Sequence, residues 1–154
     1  MRTAILTLSL CLLMLPGCAG LGGSDSGPTL INGHNLDKLY GKEWELKTLT
    51  LDNARVIMHV DSQMTLAFAP GGKVSGYGSV NQFSGSYKIS ENGTLAWERG
   101  LAATRKSGPP ELMDKERSYL AALPKTTRVI VVKGGMQLQN EDGSTVLLFA
   151  EMGK

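Results

Sequence analysis

Residues 76–89 read GYGSVNQFSGSYKI, with three glycines in the first ten positions, an Asn-Gln pair, and then alternating apolar and polar side chains. A phosphate-cradling loop sets its glycines between a strand and a helix N-terminus, often beside a lysine. Residues 76–85 hold no lysine, and the alternation that follows is that of a strand. The stretch therefore predicts a tight connection in a β-protein. Its glycines are expected to supply positive φ at the bend. Asn81 is expected to tolerate left-handed geometry and bond its own backbone. Phe83 and Tyr87, four residues apart, then share one strand face.

Outward from this stretch the chain keeps the same period. Glu43–Leu49 alternates with Trp44, Leu46 and then Thr48 on one face, the pattern of a half-buried strand. Arg55–His59 is a weaker strand candidate. Met64–Phe68 turns Met64, Leu66 and Phe68 inward, and Ala69-Pro70-Gly71-Gly72 makes a turn before a strand over Lys73–Gly78. Ser90-Glu91-Asn92-Gly93 turns the chain again, and Thr94–Trp97 pairs back. Thr127–Lys133, Met136–Gln139 and Thr145–Ala150 are the last strands, separated by Gly134-Gly135 and Asp142-Gly143.

One helix interrupts this series. TRKSGPP, residues 104–110, is a loop that runs into it. Pro110 suits the first helical turn, and Glu111 places negative charge where the helix dipole favours it. Leu112, Tyr119 and Leu123 fall on one face, Asp114-Lys115-Glu116-Arg117 covers the other, and Pro124 stops the helix. The fold class expected is mainly β (α+β): a small antiparallel β-barrel or strongly curled sheet with one helix packed against it.

Charged residues make up 19% of the 154, and the formal net charge is +2. Neither points to nucleic acid or another strongly charged partner. The N-terminus says more. Arg2 precedes an apolar run, Ala4–Leu15, that is too short to span a bilayer and fits a secretory signal. Leu15-Pro16-Gly17-Cys18 then resembles the bacterial lipobox, with Pro16 a less usual occupant. That resemblance implies removal of residues 1–17, a diacylglyceryl group on the Cys18 sulfur and an acylated new amino terminus. Several chains together hold a protein firmly to a membrane. Cys11 leaves with the signal, so the domain has no internal disulfide. Ala19 follows the cysteine in place of the Asp that retains lipoproteins at the inner membrane, which implies an outer-membrane anchor facing the periplasm. Residues 18–35, rich in Gly, Ser, Asp and Pro, read as a flexible tether, and 36–154 as the folded domain.

Gly76, Asn81, Phe83, Gly85 and Tyr87 match the G…N.F.G.Y signature of the META domain, also called HslJ-like. Trp44-Glu45-Leu46, Thr104, Met113, Glu116, Leu120–Leu123 and Leu147-Leu148-Phe149 lie at the intervals expected of the same family. The resemblance spans roughly residues 39–150. It implies a compact antiparallel β-structure with one helix, a role in the envelope or in stress, and no established reaction. The fold is also similar to that of type III secretion pilotins, whose open barrel holds lipid or a partner segment. One departure stands out. Many members carry a Cys before the Asn and another four residues after the Thr, where this chain has Val80 and Gly108. The resemblance implies a disulfide in those relatives, replaced here by apolar packing at Val80.

Little else resembles a catalytic or metal centre. His34 and His59 have no ligand partners at metal spacing. Ser79 or Ser84 with His59 and Asp61 would make a triad, yet no nucleophile-elbow pattern surrounds either serine. Glu111, Asp114 and Glu116 alternate with Lys115 and Arg117, as a solvated helix face does. Trp97 lies beside Glu98-Arg99 and is the best candidate for an exposed contact, with Arg99, Arg105 and Lys106 as basic neighbours. The expectation is a non-enzymatic lipoprotein without cofactor or metal, held to the membrane through Cys18, that binds an envelope protein or lipid. Two alternatives stand beside it: a carrier of a lipid or small apolar ligand inside the barrel, and an inhibitor of a periplasmic hydrolase acting through residues 104–110.

Overall fold

The computed structural model describes residues 27–56, 58 and 62–153. Cys18, the lipobox, His59 and Asp61 lie outside the described residues. Ten antiparallel strands form one strongly curled sheet: β1 (Thr29–Leu30), β2 (Trp44–Leu51), β3 (Ala54–Val56), β4 (Met64–Ala69), β5 (Lys73–Gly78), β6 (Gln82–Ile89), β7 (Leu95–Ala103), β8 (Arg128–Val132), β9 (Gly135–Gln139) and β10 (Val146–Glu151). The spatial order is β1-β8-β9-β10-β2-β4-β5-β6-β7, with β3 paired to β2. A single helix among the described residues, α1 (Pro110–Ala122), crosses from β7 to β8 and ends in a 3-10 turn, Leu123–Lys125.

The curl brings the far ends of the sheet together on one side. Leu95 at the start of β7 donates its N–H to Thr127 O at 2.7 Å, just ahead of β8. The Trp97 indole N–H reaches Thr126 O at 3.2 Å and Thr126 Oγ1 at 3.1 Å. Beyond that staple β7 runs free of a second neighbour strand.

Alternation explains the core. Met64, Leu66 and Phe68 of β4, Val74 of β5, and Phe83, Tyr87 and Ile89 of β6 are all buried, with polar or small residues between them. Tyr119 of α1 enters the curl edge-on to Phe83, ring centroids 5.7 Å apart, and tilts against Phe149 at 6.4 Å. Phe68 and Tyr87 meet edge to face at 4.9 Å, an arrangement the ring quadrupoles favour.

Three local readings change. Thr48 does not follow Trp44 and Leu46 inward. The β2–β10 register slips between Leu148 and Phe149, so Leu49 takes the inward place. An extra residue in one strand reverses every side chain after it. Strand β7 runs on to Ala103 instead of stopping at Trp97. Arg99 and Gly100, both with positive φ, bulge out opposite Gly85 and let the pairing resume. Order also begins before Leu36. Thr29 and Leu30 pair with Val131 and Ile130, and Ile31 is fully buried.

Candidate functional site

The opening stretch forms the β5–β6 connection, residues 79–81, and its neighbours converge there. Asn81 is buried and saturated. Its Oδ1 accepts from Thr104 Oγ1 and from the Lys106 N–H, both at 2.7 Å. Its Nδ2 donates to Glu116 Oε1 at 2.7 Å and to Lys106 O at 3.3 Å. Both amide hydrogens and both lone-pair directions are thereby used. Glu116 Oε2 accepts the N–H groups of Val80 (3.0 Å) and Asn81 (2.7 Å). One helix face, one hairpin loop and the segment after β7 are tied at this point.

The helix face assigned to Glu116 is corrected here. Glu116 is only 5% exposed, while Glu111 and Asp114 are exposed. It lies three residues before Tyr119, which at 100° per residue sets both on one face. A buried carboxyl is stable there because the loop N–H groups replace its water.

The glycines also act differently from expectation. Neither Gly76 nor Gly78 has positive φ, and the left-handed residue of the loop is Ser79, not Asn81. Their value is close approach. A Cβ on Gly78 would stand 2.7 Å from Glu116 Oε2, and one on Gly76 would stand 2.1 Å from Thr65 O and 2.6 Å from Phe83 Cζ. Gly85 leaves room for Leu101 of the bulge in the same way.

Val80 and Gly108 face each other across the same loops. A Cβ on Gly108 would lie 3.5 Å from Val80 Cβ, the spacing of a disulfide's β-carbons. In this chain the Val80 methyl groups occupy that space, 2.8 Å from the missing Cβ.

Of the remaining candidates, Trp44, Phe83 and Tyr87 are core residues. Trp97 is half-buried and bonded to Thr126, so it is not the free surface ring that its charged neighbours suggested. Arg99, Arg105 and Lys106 are exposed. Arg99 lines the first of two open clefts, of about 550 and 690 Å³, on the outer face of β4–β7. They share the small side chains of Ser75, Ser84 and Ala102, and Thr104, which lines the second, precedes Arg105 and Lys106 in the chain. Sequence reasoning missed these clefts. The only trace was the run of Ser and Ala at the outward positions of three adjacent strands. Among the described residues, no group of three or more His, Cys, Asp or Glu is placed to hold a metal, and no helix is long and apolar enough to cross a membrane.

The META domain family model matches residues 37–153. The chain belongs to the META domain family. It is similar to an NMR structure of a protein from Burkholderia xenovorans, with TM-score 0.63 and 21% identity over 93% of this chain and 100% of that one. A second NMR structure matches with TM-score 0.54 and 22% identity over 74% of this chain and 92% of its own. A crystal structure of a duf4847 family protein from Bacteroides vulgatus matches with TM-score 0.55 and 11% identity over 77% and 98%. No curated protein matches the chain. At these identities the solved structures speak to the fold.

Proposed function

We propose that this META-domain protein is a lipoprotein anchored through Cys18 on the periplasmic side of the outer membrane, where it acts in envelope maintenance by binding another protein. The observation that carries a binding role is the mutual engagement of Asn81, Thr104 and Glu116. Their polar groups are spent on one another and on backbone, and together they hold residues 104–108 in a fixed, exposed position. Asn81 has no donor or acceptor left for a substrate, and the buried Glu116 carboxyl is turned toward two backbone N–H groups and the Asn81 amide. The interior is occupied by Trp44, Tyr119, Phe83 and Phe149, which weighs against the carrier reading, because that needs an unfilled barrel. The contact surface is the outer face of β5–β7 with Arg99, Arg105 and Lys106. A hydrolase inhibitor is a specific form of this reading, favoured by the pinned loop.

The test has two arms. Cys18→Ala should move the protein from the membrane to the soluble fraction, and persistent membrane association would remove the anchor. A photo-crosslinking side chain at Ser84 should give one discrete adduct in cells, abolished by Arg105→Glu with Lys106→Glu. An adduct indifferent to those two charges would remove the contact surface.

A further inference from the structure

The chain enters its folded domain at a distinctive place. Gly27 and Thr29 line a cleft of about 260 Å³ with Lys38, Lys42, Val132, Lys133 and Glu151. Three lysines and one glutamate thus line the cleft where the described part of the chain begins. Lys42 Nζ binds the carboxylate of that glutamate, Glu151, at 3.0 Å, and lies 5.3 Å from the Trp44 ring centroid. Lys38 and Lys133 are exposed, and neither has an ion-pair partner among the described residues. Val132, 40% exposed, lines the same cleft, and Met152, 41% exposed, directly follows Glu151 in the chain.

Strand register fixes the place of this patch in the molecule. Met64 at the start of β4 pairs with Gly78, beside the Asn81 loop. Trp44 at the start of β2 pairs with Leu66, further along β4, and Tyr40 bridges Phe68. Lys42 therefore lies toward the opposite strand ends from Asn81, and so does the β8–β9 turn that carries Lys133. Gly27 is nine residues from Cys18, a stretch that reaches at most about 30 Å however it is arranged.

We infer that this end of the domain is a membrane-docking face for a bilayer surface bearing anionic phospholipid headgroups. The inference deepens the proposed function and rests on its Cys18 anchor. Lys38 and Lys133 meet the headgroup phosphates, Val132 and Met152 enter the interface, and residues 104–108 point away from the bilayer toward a partner. Lysines near an anionic surface each favour the bound orientation roughly fivefold. Once the anchor holds the domain at the surface, two are enough to orient it.

The experiment is lysine acetylation footprinting of the full membrane-extracted chain, in phosphatidylglycerol vesicles and in neutral detergent. We expect Lys38 and Lys133 to react about fivefold or more slowly in vesicles, with Lys106, beside the Asn81 loop, unchanged. In a Lys38→Glu/Lys133→Glu variant, Lys42 should react equally in both media. Equal rates at Lys38 and Lys133 in the two media, or stronger protection at Lys106, would overturn the inference. The mass of the peptide containing Cys18 reads the anchor separately. If it carries no acyl group the anchor fails, and co-sedimentation of the chain with phosphatidylglycerol vesicles decides the face: binding lost in the double variant retains it, and no binding removes it.

Discussion

Glu116 and Tyr119 sit one helical turn apart on the same buried face of α1, and they hold the fold in opposite ways. Tyr119 meets Phe83 and Phe149 and is fully buried. Its contribution is mostly area removed from water, which is large and tolerant of shape. Glu116 meets the N–H groups of Val80 and Asn81 and the Asn81 amide. Its contribution is direction, because each bond must be made at one distance and angle or its donor is left dry. The apolar cluster closes the curl. The polar cluster decides where the loops come to rest, and the exposed segment 104–108 is one of them.

The largest expected effect strips the polar cluster. Glu116→Ala leaves three donors without acceptors, two of them buried, and should cost about 3–5 kcal/mol in urea unfolding. It should also release residues 104–108, seen as faster amide exchange at Lys106. A loss below about 1 kcal/mol would mean that water replaces the carboxyl freely, and the contrast with Tyr119 would fail. Next comes a gain. Val80→Cys with Gly108→Cys should oxidise spontaneously and stabilise by roughly 2–4 kcal/mol. A thiol titration that still finds both cysteines free would refute the cross-loop geometry.

The same contrast decides how much could be read from sequence. The apolar cluster was legible. Met64, Leu66, Phe68, Phe83 and Tyr87 repeat with period 2 and fall inward as expected. The polar cluster was visible only as a family signature. Helical period sets Glu116 with Leu112, Tyr119 and Leu123, yet a carboxyl in that stripe is understood only through its partners on a loop more than thirty residues away. The glycines of residues 76–89 were noticed for the wrong reason. Backbone freedom is a local property that sequence suggests, whereas close approach at Gly76 and Gly78 depends on Thr65, Phe83 and Glu116 arriving from elsewhere. The run-on of β7 was hidden by the bulge at Arg99-Gly100, which breaks the alternation of its strand. Trp97 was misplaced because its sequence neighbours are charged, while its partner, Thr126, lies across the curl.

A smaller effect tests the fit between a missing side chain and the polar cluster. Gly78→Ala should cost about 2 kcal/mol, because its Cβ would stand 2.7 Å from Glu116 Cγ and Oε2. In a Glu116→Ala background the space is open, and the same substitution should be nearly neutral. Additive costs in that double-mutant cycle would show that the strain lies in the backbone and not against Glu116.

The smallest effect separates area from direction within Tyr119 itself. Its hydroxyl donates to Thr65 O at 3.0 Å, so Tyr119→Phe should cost about 1 kcal/mol at pH 7 while the ring packing survives. Burial raises the phenol well above its usual value. An unfolded tyrosine ionises near pH 10, so above that pH protons leave the unfolded chain first. Stability contributed by the neutral phenol is present below about pH 10 and is lost as the pH climbs toward the raised folded value. The phenylalanine variant lacks this term. Its deficit should shrink above pH 10 at up to about 1.4 kcal/mol per pH unit and change sign near pH 11. Tyr87, also raised by burial, is common to both chains and cancels in the difference. A deficit that stays constant through pH 11 would mean that the folded phenol ionises as easily as the unfolded one. The pocket around Tyr119 would then be wetter than its packing against Phe83 and Phe149 requires.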